Sequence, residues 1–303
     1  MKSVTTLQAL FSSLTNNSAT VNKTLGLELM NDSIRRIVAE RDWDFMQKSA
    51  TDSTVASQQF YTLPYDYGQL MDVTVLTGTN RYVPIEVPNR EAWDLLNQQS
   101  SYTSDIPQYY FIFNGQIGFW PTPSTSTSSN ITYNYLRKIV DLSRADYTTG
   151  TVTAVANGST TVTGSGTTWT TPMAGRWLRI TMTDTASNSG DEVWYQIASV
   201  QSTTSLTLTK AYNGTTLVAA AAASYIIGEM PILPEAYHDL PVYEAASVYF
   251  TTVQPEPVRA KMYQDRFEYI AKRMRADHGN KTSDPTIHAM RRNPINPNLV
   301  IWQ

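Results

Sequence analysis

Between about residues 146 and 228 the chain is crowded with threonine, serine, glycine and valine and almost lacks lysine and glutamate. That texture excludes a helical bundle there. β-branched residues lose side-chain freedom in a helix, and glycine is the costliest residue in one short of proline. Six short runs, 151–155, 160–163, 177–182, 192–200, 205–209 and 224–227, read as strands, with Asn157-Gly158 and Asn213-Gly214 supplying turns between them. The stretch is predicted to be a small all-β, barrel-like module of five or six strands.

The flanking sequence follows other periods. Val4, Leu7, Leu10, Phe11 and Leu14 recur at helical spacing, and residues 24–46 repeat the signal through Leu25, Leu29, Ile34, Ile37, Val38, Trp43 and Phe45. Strands follow at 60–64, 72–76 and 81–88, then a short helix over 88–97 with Asn89 as its cap. Asn114-Gly115 between two aromatic runs predicts a type I′ hairpin over 108–121, because both central residues of that turn need positive φ. A further strand spans 131–136. After the β module Pro234 opens a helix carrying Leu240, Val242, Tyr243, Ala246, Val248, Tyr249 and Phe250. Pro255 and Pro257 separate it from a helix over 258–277, which Gly279 ends. That helix sets Tyr263, Phe267, Ile270, Ala271 and Met274 on one face and Arg259, Arg266 and Arg273, seven residues apart, on another.

The predicted class is therefore α+β. A discontinuous helical domain with a small antiparallel sheet (1–145 and 229–282) holds an inserted all-β, barrel-like domain (146–228) and ends in an extended C-terminal arm (283–303). The arm contains Pro285, Pro294 and Pro297 and cannot continue the helix before it. It ends in Leu299, Val300, Ile301 and Trp302, with Arg291, Arg292 and Ile295 upstream. An apolar tip on a basic root predicts a segment that orders on a partner; the competing reading is a tail folded onto its own domain. Charge points the same way. Residues 258–292 carry nine Lys and Arg against four acids, so +5 locally, while the whole chain stands at -3. Such asymmetry predicts a polyanion or an acidic protein surface near the C-terminal end, with a solvated basic helix face as the alternative.

Several classes of chemistry are not expected. The chain has no cysteine, which removes disulfides, thiolate metal sites and cysteine nucleophiles and fits a reducing cytoplasm. It shows no secretory leader and no apolar run of membrane-spanning length. His238, His278 and His288 are scattered, Gly164-Ser165-Gly166 reads as turn composition, and no phosphate-binding loop is present. His238-Asp239 sits at a helix start, where a capping or surface role is expected. Asp42 and Asp44 flank Trp43 but do not face each other at that helical spacing, which leaves a lytic enzyme a minor reading. No catalytic, metal or cofactor site is expected. Tyr109, Tyr110, Phe111, Phe113, Phe119 and Trp120 are assigned to the packed faces of the hairpin.

Four stretches in order carry a resemblance: LMNDSIRRIVAERDWDFM (29–46), FYTLPYDYGQLMDVTV (60–75), PQYYFIFNGQIGFWPTP (107–123) and LPEAYHDLPVYEAASVYF (233–250). With these landmarks the chain resembles the head-to-tail adaptor (connector) proteins of tailed bacteriophages, a group that includes tubular tail protein A and the tail accessory factors. The threonine-rich module is similar to one seen in some members. The resemblance implies a structural protein of the virion neck, made in the host cytoplasm, with about twelve copies in a ring. The ring would join the portal to tail nozzle, tubular or fibre proteins around a channel through which double-stranded DNA passes without sequence recognition. Arg291, Arg292, Ile295, Leu299, Val300, Ile301 and Trp302 would form the portal-binding arm, with the indole of Trp302 as anchor. Arg259, Arg266, Lys272, Arg273 and Arg275 would line the channel or seal neighbouring subunits; ejection of DNA argues against sticky walls and favours the neighbours. The alternative is a tail-associated receptor- or glycan-binding module using Trp169, Trp177, Trp194 and Tyr195, although the long repeats of a trimeric fibre are absent.

Overall fold

The structure, a computed structural model, describes residues 1–98, 102–183, 189–218 and 222–279. The class is α+β, with five α-helices among the described residues: α1 (Val4–Thr15), α2 (Thr20–Ala39), α3 (Arg90–Asn97), α4 (Leu240–Thr252) and α5 (Pro257–His278). The described chain divides into two units, Met1–Ile37 with Asp141–Asp277, and Val38–Val140 with His278 and Gly279.

The Val38–Val140 unit carries β1 (Gln47–Thr54), β2 (Phe60–Thr62), β3 (Tyr67–Thr77), β4 (Asn80–Tyr82), β5 (Ile85–Glu86), β6 (Tyr109–Phe113), β7 (Gln116–Trp120) and β8 (Thr127–Arg137). They form two four-stranded sheets, ordered β1-β8-β3-β4 and β2-β7-β6-β5. Their core gathers Tyr61, Val73, Val75, Ile117, Phe119, Ile131, Tyr133 and Tyr135. The predicted hairpin is present, with Asn114 at φ 50 and Gly115 at φ 72. Its aromatics divide between packing and exposure. Phe119 is buried against Tyr61, and Phe111 stacks on Trp93 of α3 at 5.6 Å, whereas Phe113 is 53% exposed beneath Arg90. Asn89 caps α3 as expected, its Oδ1 accepting from the Ala92 amide at 2.9 Å. β1 was not anticipated, because QKSATDST has no apolar alternation; it is held by its ladder with β8.

In the other unit α1 buries Val4, Leu7 and Phe11, and the Phe11 ring stands edge-on to Tyr249 of α4 at 5.8 Å. The inward face of α2 is Asn22, Gly26, Met30, Ser33, Ile34 and Ile37, with Leu25 and Leu29 only half-buried. The reason is shape. A Cβ on Gly26 would lie 2.4 Å from Phe11 Cδ1, so the ring fills the hollow that glycine leaves. Helix α2 also ends at Ala39 instead of continuing to Met46. Trp43 is extended, and Asp44–Met46 is a short 3-10 turn. Helix α4 is buried nearly all round, and even its Glu244 carboxylate is internal, accepting from Ser33 Oγ and from Arg36. His238, expected at the surface or as a cap, is 2% exposed. Its Nδ1 accepts the Lys2 amide at 3.1 Å and its Nε2 donates to the Leu233 carbonyl at 3.0 Å, so it ties the N-terminal chain into the core.

The same unit holds β9 (Thr151–Ala154), β10 (Thr161–Ser165), β11 (Trp177–Ile180), β12 (Trp194–Ser202), β13 (Ser205–Leu208) and β14 (Tyr225–Gly228), which match the six predicted runs to within a few residues at their ends. Their order is β14-β11-β12-β13-β10-β9. The sheet curls until its edges meet through the bridges Tyr147↔Ile227, Val152↔Ala223 and Val155↔Leu217. Alternate residues such as Val152, Val162, Leu178, Ile197, Leu206 and Ile227 fill its interior. At the neck, Tyr147 and Ile227 exchange two backbone hydrogen bonds, and buried Arg176 donates from Nη2 to the carbonyls of Ala145 and Ile227 at 2.8 and 2.9 Å.

Candidate functional site

Helix α5 owes its basic stripe to a seven-residue repeat, and the structure gives the stripe a local function. Arg259 lies over the Phe250 ring at 5.5 Å and Arg266 over the Tyr243 ring at 4.8 Å. As the arginines advance by seven along α5, their aromatic partners step back by seven along α4, as two antiparallel helices require. Each guanidinium thus covers an aromatic edge of the seam, a cation–π contact of about 0.5–1 kcal/mol at an exposed site. One step further, Arg273 neighbours Tyr237, whose hydroxyl donates to Asp277. Burial first, and then that bond, push the Tyr237 phenol up, while Arg273 pulls it down.

Arg266 and Arg273 also border an open groove of ≈ 340 Å³ floored by Leu240, Tyr243 and Ile270 and flanked by exposed Tyr269. The remaining basic residues have other settings. Arg259 pairs with Glu256 at 3.1 Å, Lys261 with Asp265 at 3.6 Å and Arg275 with Glu268 at 3.7 Å. Arg266, Lys272 and Arg273 have no carboxylate within ion-pair distance among the described residues. The five residues grouped by sequence therefore separate into a neutralised pair, Arg259 and Arg275, and an uncompensated set. The tyrosines and exposed apolar residues of this surface were not part of the sequence expectation. Their signal was the four-residue spacing of Val258, Met262 and Arg266.

The arm residues Arg291, Arg292, Ile295, Leu299, Val300, Ile301 and Trp302 lie outside the described residues. The described chain ends where Gly279 bridges Trp43 and His278 Nδ1 meets the Asp44 carboxylate at 3.1 Å. Asp44 is thus engaged by a histidine and Asp42 is exposed, so the two carboxylates do not converge on a cleft. Of the four aromatics named for glycan binding, Trp169 and Tyr195 are core residues. Trp169 Nε1 donates to the Tyr225 hydroxyl at 2.9 Å. Trp177 and Trp194 are half-buried, and Trp194 lies under Arg179 at 4.9 Å. Among the described residues no group of three or more His, Cys, Asp or Glu could hold a metal ion, and no helix is long and apolar enough to cross a membrane.

The chemistry on offer at this site is recognition: guanidinium and phenol groups on a rigid helix pair, suited to the surface of another macromolecule. The comparisons agree with a contact-making class. The family model described as SU10 adaptor protein matches residues 2–158, just over half of the chain. The chain belongs to the SU10 adaptor protein family and is a phage adaptor-type structural protein of the virion. No curated protein matches it.

Proposed function

We propose that the protein is a head-to-tail adaptor: about twelve copies form a ring that joins the portal to the tail around the DNA exit channel. Membership of the SU10 adaptor family carries this reading. The sequence of the arm supports it, since its Arg291 and Arg292 suit an acidic portal surface and its apolar end, Leu299 to Trp302, suits portal crevices. In a ring, weak identical contacts multiply through effective concentration. Residues 146–228 act as an inserted β domain pointing outward or down toward the nozzle, fibres or capsid, and no turnover of substrate is involved. The test is to mix purified portal rings with the full chain and with a chain ending at Lys281, followed by sedimentation and imaging. Ring assembly on the portal by the full chain only is the expected result. If neither form binds, the adaptor reading is overturned and a receptor-binding β module takes its place.

A further inference from the structure

Two helices of one unit carry outward faces that match each other in pattern and oppose each other in charge. On α5, opposite the buried Phe267 side, Val258, Met262, Arg266, Tyr269 and Arg273 follow one another at steps of three or four residues. Val258 is 84% exposed and Tyr269 66%. On α2, opposite the Gly26 side, Val21, Leu25, Glu28 and Asp32 follow at the same steps, with Val21 82% exposed. Each stripe is apolar toward the helix N-terminus and charged toward the C-terminus, basic on α5 and acidic on α2.

Most of these charges have no ion-pair partner among the described residues. Glu28 has no ion-pair partner among the described residues, and neither have Arg266 and Arg273. Asp32 is 3.8 and 3.9 Å from Arg35 and Arg36, but those two guanidiniums are engaged by Asp141 and Glu244. Apolar side chains left in water beside unneutralised charge have the composition of a docking surface with its polar rim.

We propose that the two faces are the halves of one interface between copies of this chain. Helix α2 of one copy lies parallel to α5 of the next. Val21 and Leu25 meet Val258 and Met262, and the same offset carries Glu28 to the turn of Arg266 and Asp32 to the level of Tyr269, between Arg266 and Arg273. An antiparallel arrangement would set the valines against charges, so charge pattern fixes direction and register while apolar burial supplies affinity. Because the two patches differ, the contact is heterologous: it propagates head to tail, and closes if the rotation per copy divides a full turn. The proposal rests on the adaptor reading for ring closure and supplies that ring with its lateral contact.

The chain has no cysteine, so single cysteines report contacts without background. Full-length Glu28→Cys and Arg266→Cys proteins, each alone and mixed, are oxidised mildly with and without purified portal rings, and cross-linked peptides are mapped. The mixture is expected to give a 28–266 disulfide about tenfold above the self-products of either protein alone. In sedimentation, Glu28→Arg is expected to weaken assembly about tenfold, with Arg266→Glu added to it restoring assembly, a rescue that misfolding would not produce. A 28–266 product no more abundant than the self-products overturns the interface, as does a chain that stays monomeric both alone and with portal. Portal capture without that product removes this interface and leaves the adaptor reading standing; the product without portal capture does the reverse.

Discussion

Replacing Gly26 by alanine sets two physical terms against each other. In an exposed helix interior the change stabilises, because alanine has the higher helix propensity by about 1 kcal/mol. Here the new Cβ would lie 2.4, 2.6 and 2.9 Å from three atoms of the Phe11 ring. That ring is fully buried and edge-on to Tyr249, so it has nowhere to swing. Overpacking of this kind costs about 1–3 kcal/mol, and contacts this short belong at the upper end. The expected net effect is a loss of about 2 kcal/mol, or about 4–8 °C in Tm for a unit of this size. Thermal and urea unfolding followed by tryptophan fluorescence measures it. A double-mutant cycle isolates the cause. Phe11→Ala alone should cost about 3–5 kcal/mol, and in the Gly26→Ala background about 1–2 kcal/mol less, because the new methyl enters the vacated space. A stabilised Gly26→Ala protein, or strict additivity in the cycle, would refute the account of how α1 and α2 pack.

Burial holds the His238 imidazole below its ordinary value, so the unfolded chain takes up that proton first as pH falls. Its contribution to stability is complete above about pH 6.5 and is lost as pH drops through the folded value. The urea midpoint should fall from pH 7.5 to 5.0, and His238→Gln should flatten that slope; parallel slopes would count against the bond from Lys2. Asn89→Ala should cost about 1 kcal/mol through loss of the α3 cap while Asn89→Asp stays near neutral, both read from chemical denaturation. Arg176→Met removes the donor to two carbonyls at the neck of the barrel-like module and should cost about 2–3 kcal/mol. Hydrogen exchange at the Tyr147 and Ile227 amides should rise with it, and unchanged protection there would place the loss elsewhere.

Where local chemistry decides structure, the sequence was readable. Asn114-Gly115 specifies its turn through positive φ, Asn89 its cap through one carbonyl oxygen, and the β-branched runs of the module their strands through alternation. Where a distant partner decides, it was not. The buried face of α2 is chosen by the ring of Phe11, which seats on Gly26 and leaves the more hydrophobic Leu25 and Leu29 at the margin. Strand β1 exists because β8 offers a ladder, not because QKSATDST asks for one. His238 looked like a surface residue until the N-terminal chain was seen to lie across it. The basic stripe was legible as a pattern, but its division into arginines neutralised by acids and arginines bordering a groove depends on acids one or two turns away and on the facing residues of α4. The arm was legible only as composition.

The paired hydrogen bonds between Tyr147 and Ile227 also bear on the order in which the chain folds. While residues between them are unfolded, the segment before Tyr147 and the chain that leads from Ile227 into α4 are tethered by a loop of roughly 80 residues, and closing it costs about 3 kcal/mol more than closing one of two. Once the barrel-like module has formed, its two ends are already together and that excess is gone. The module precedes α4 in the chain, so during synthesis it is available to fold while the last helices are still emerging. The segment before Tyr147, whose Leu142 is hydrogen-bonded to Asn31 of α2, then meets Glu229 on the way into α4 as if across a tight turn. A region that looks like a detour in the sequence works, in time, as the shortest path between the segment that docks on α2 and helix α4.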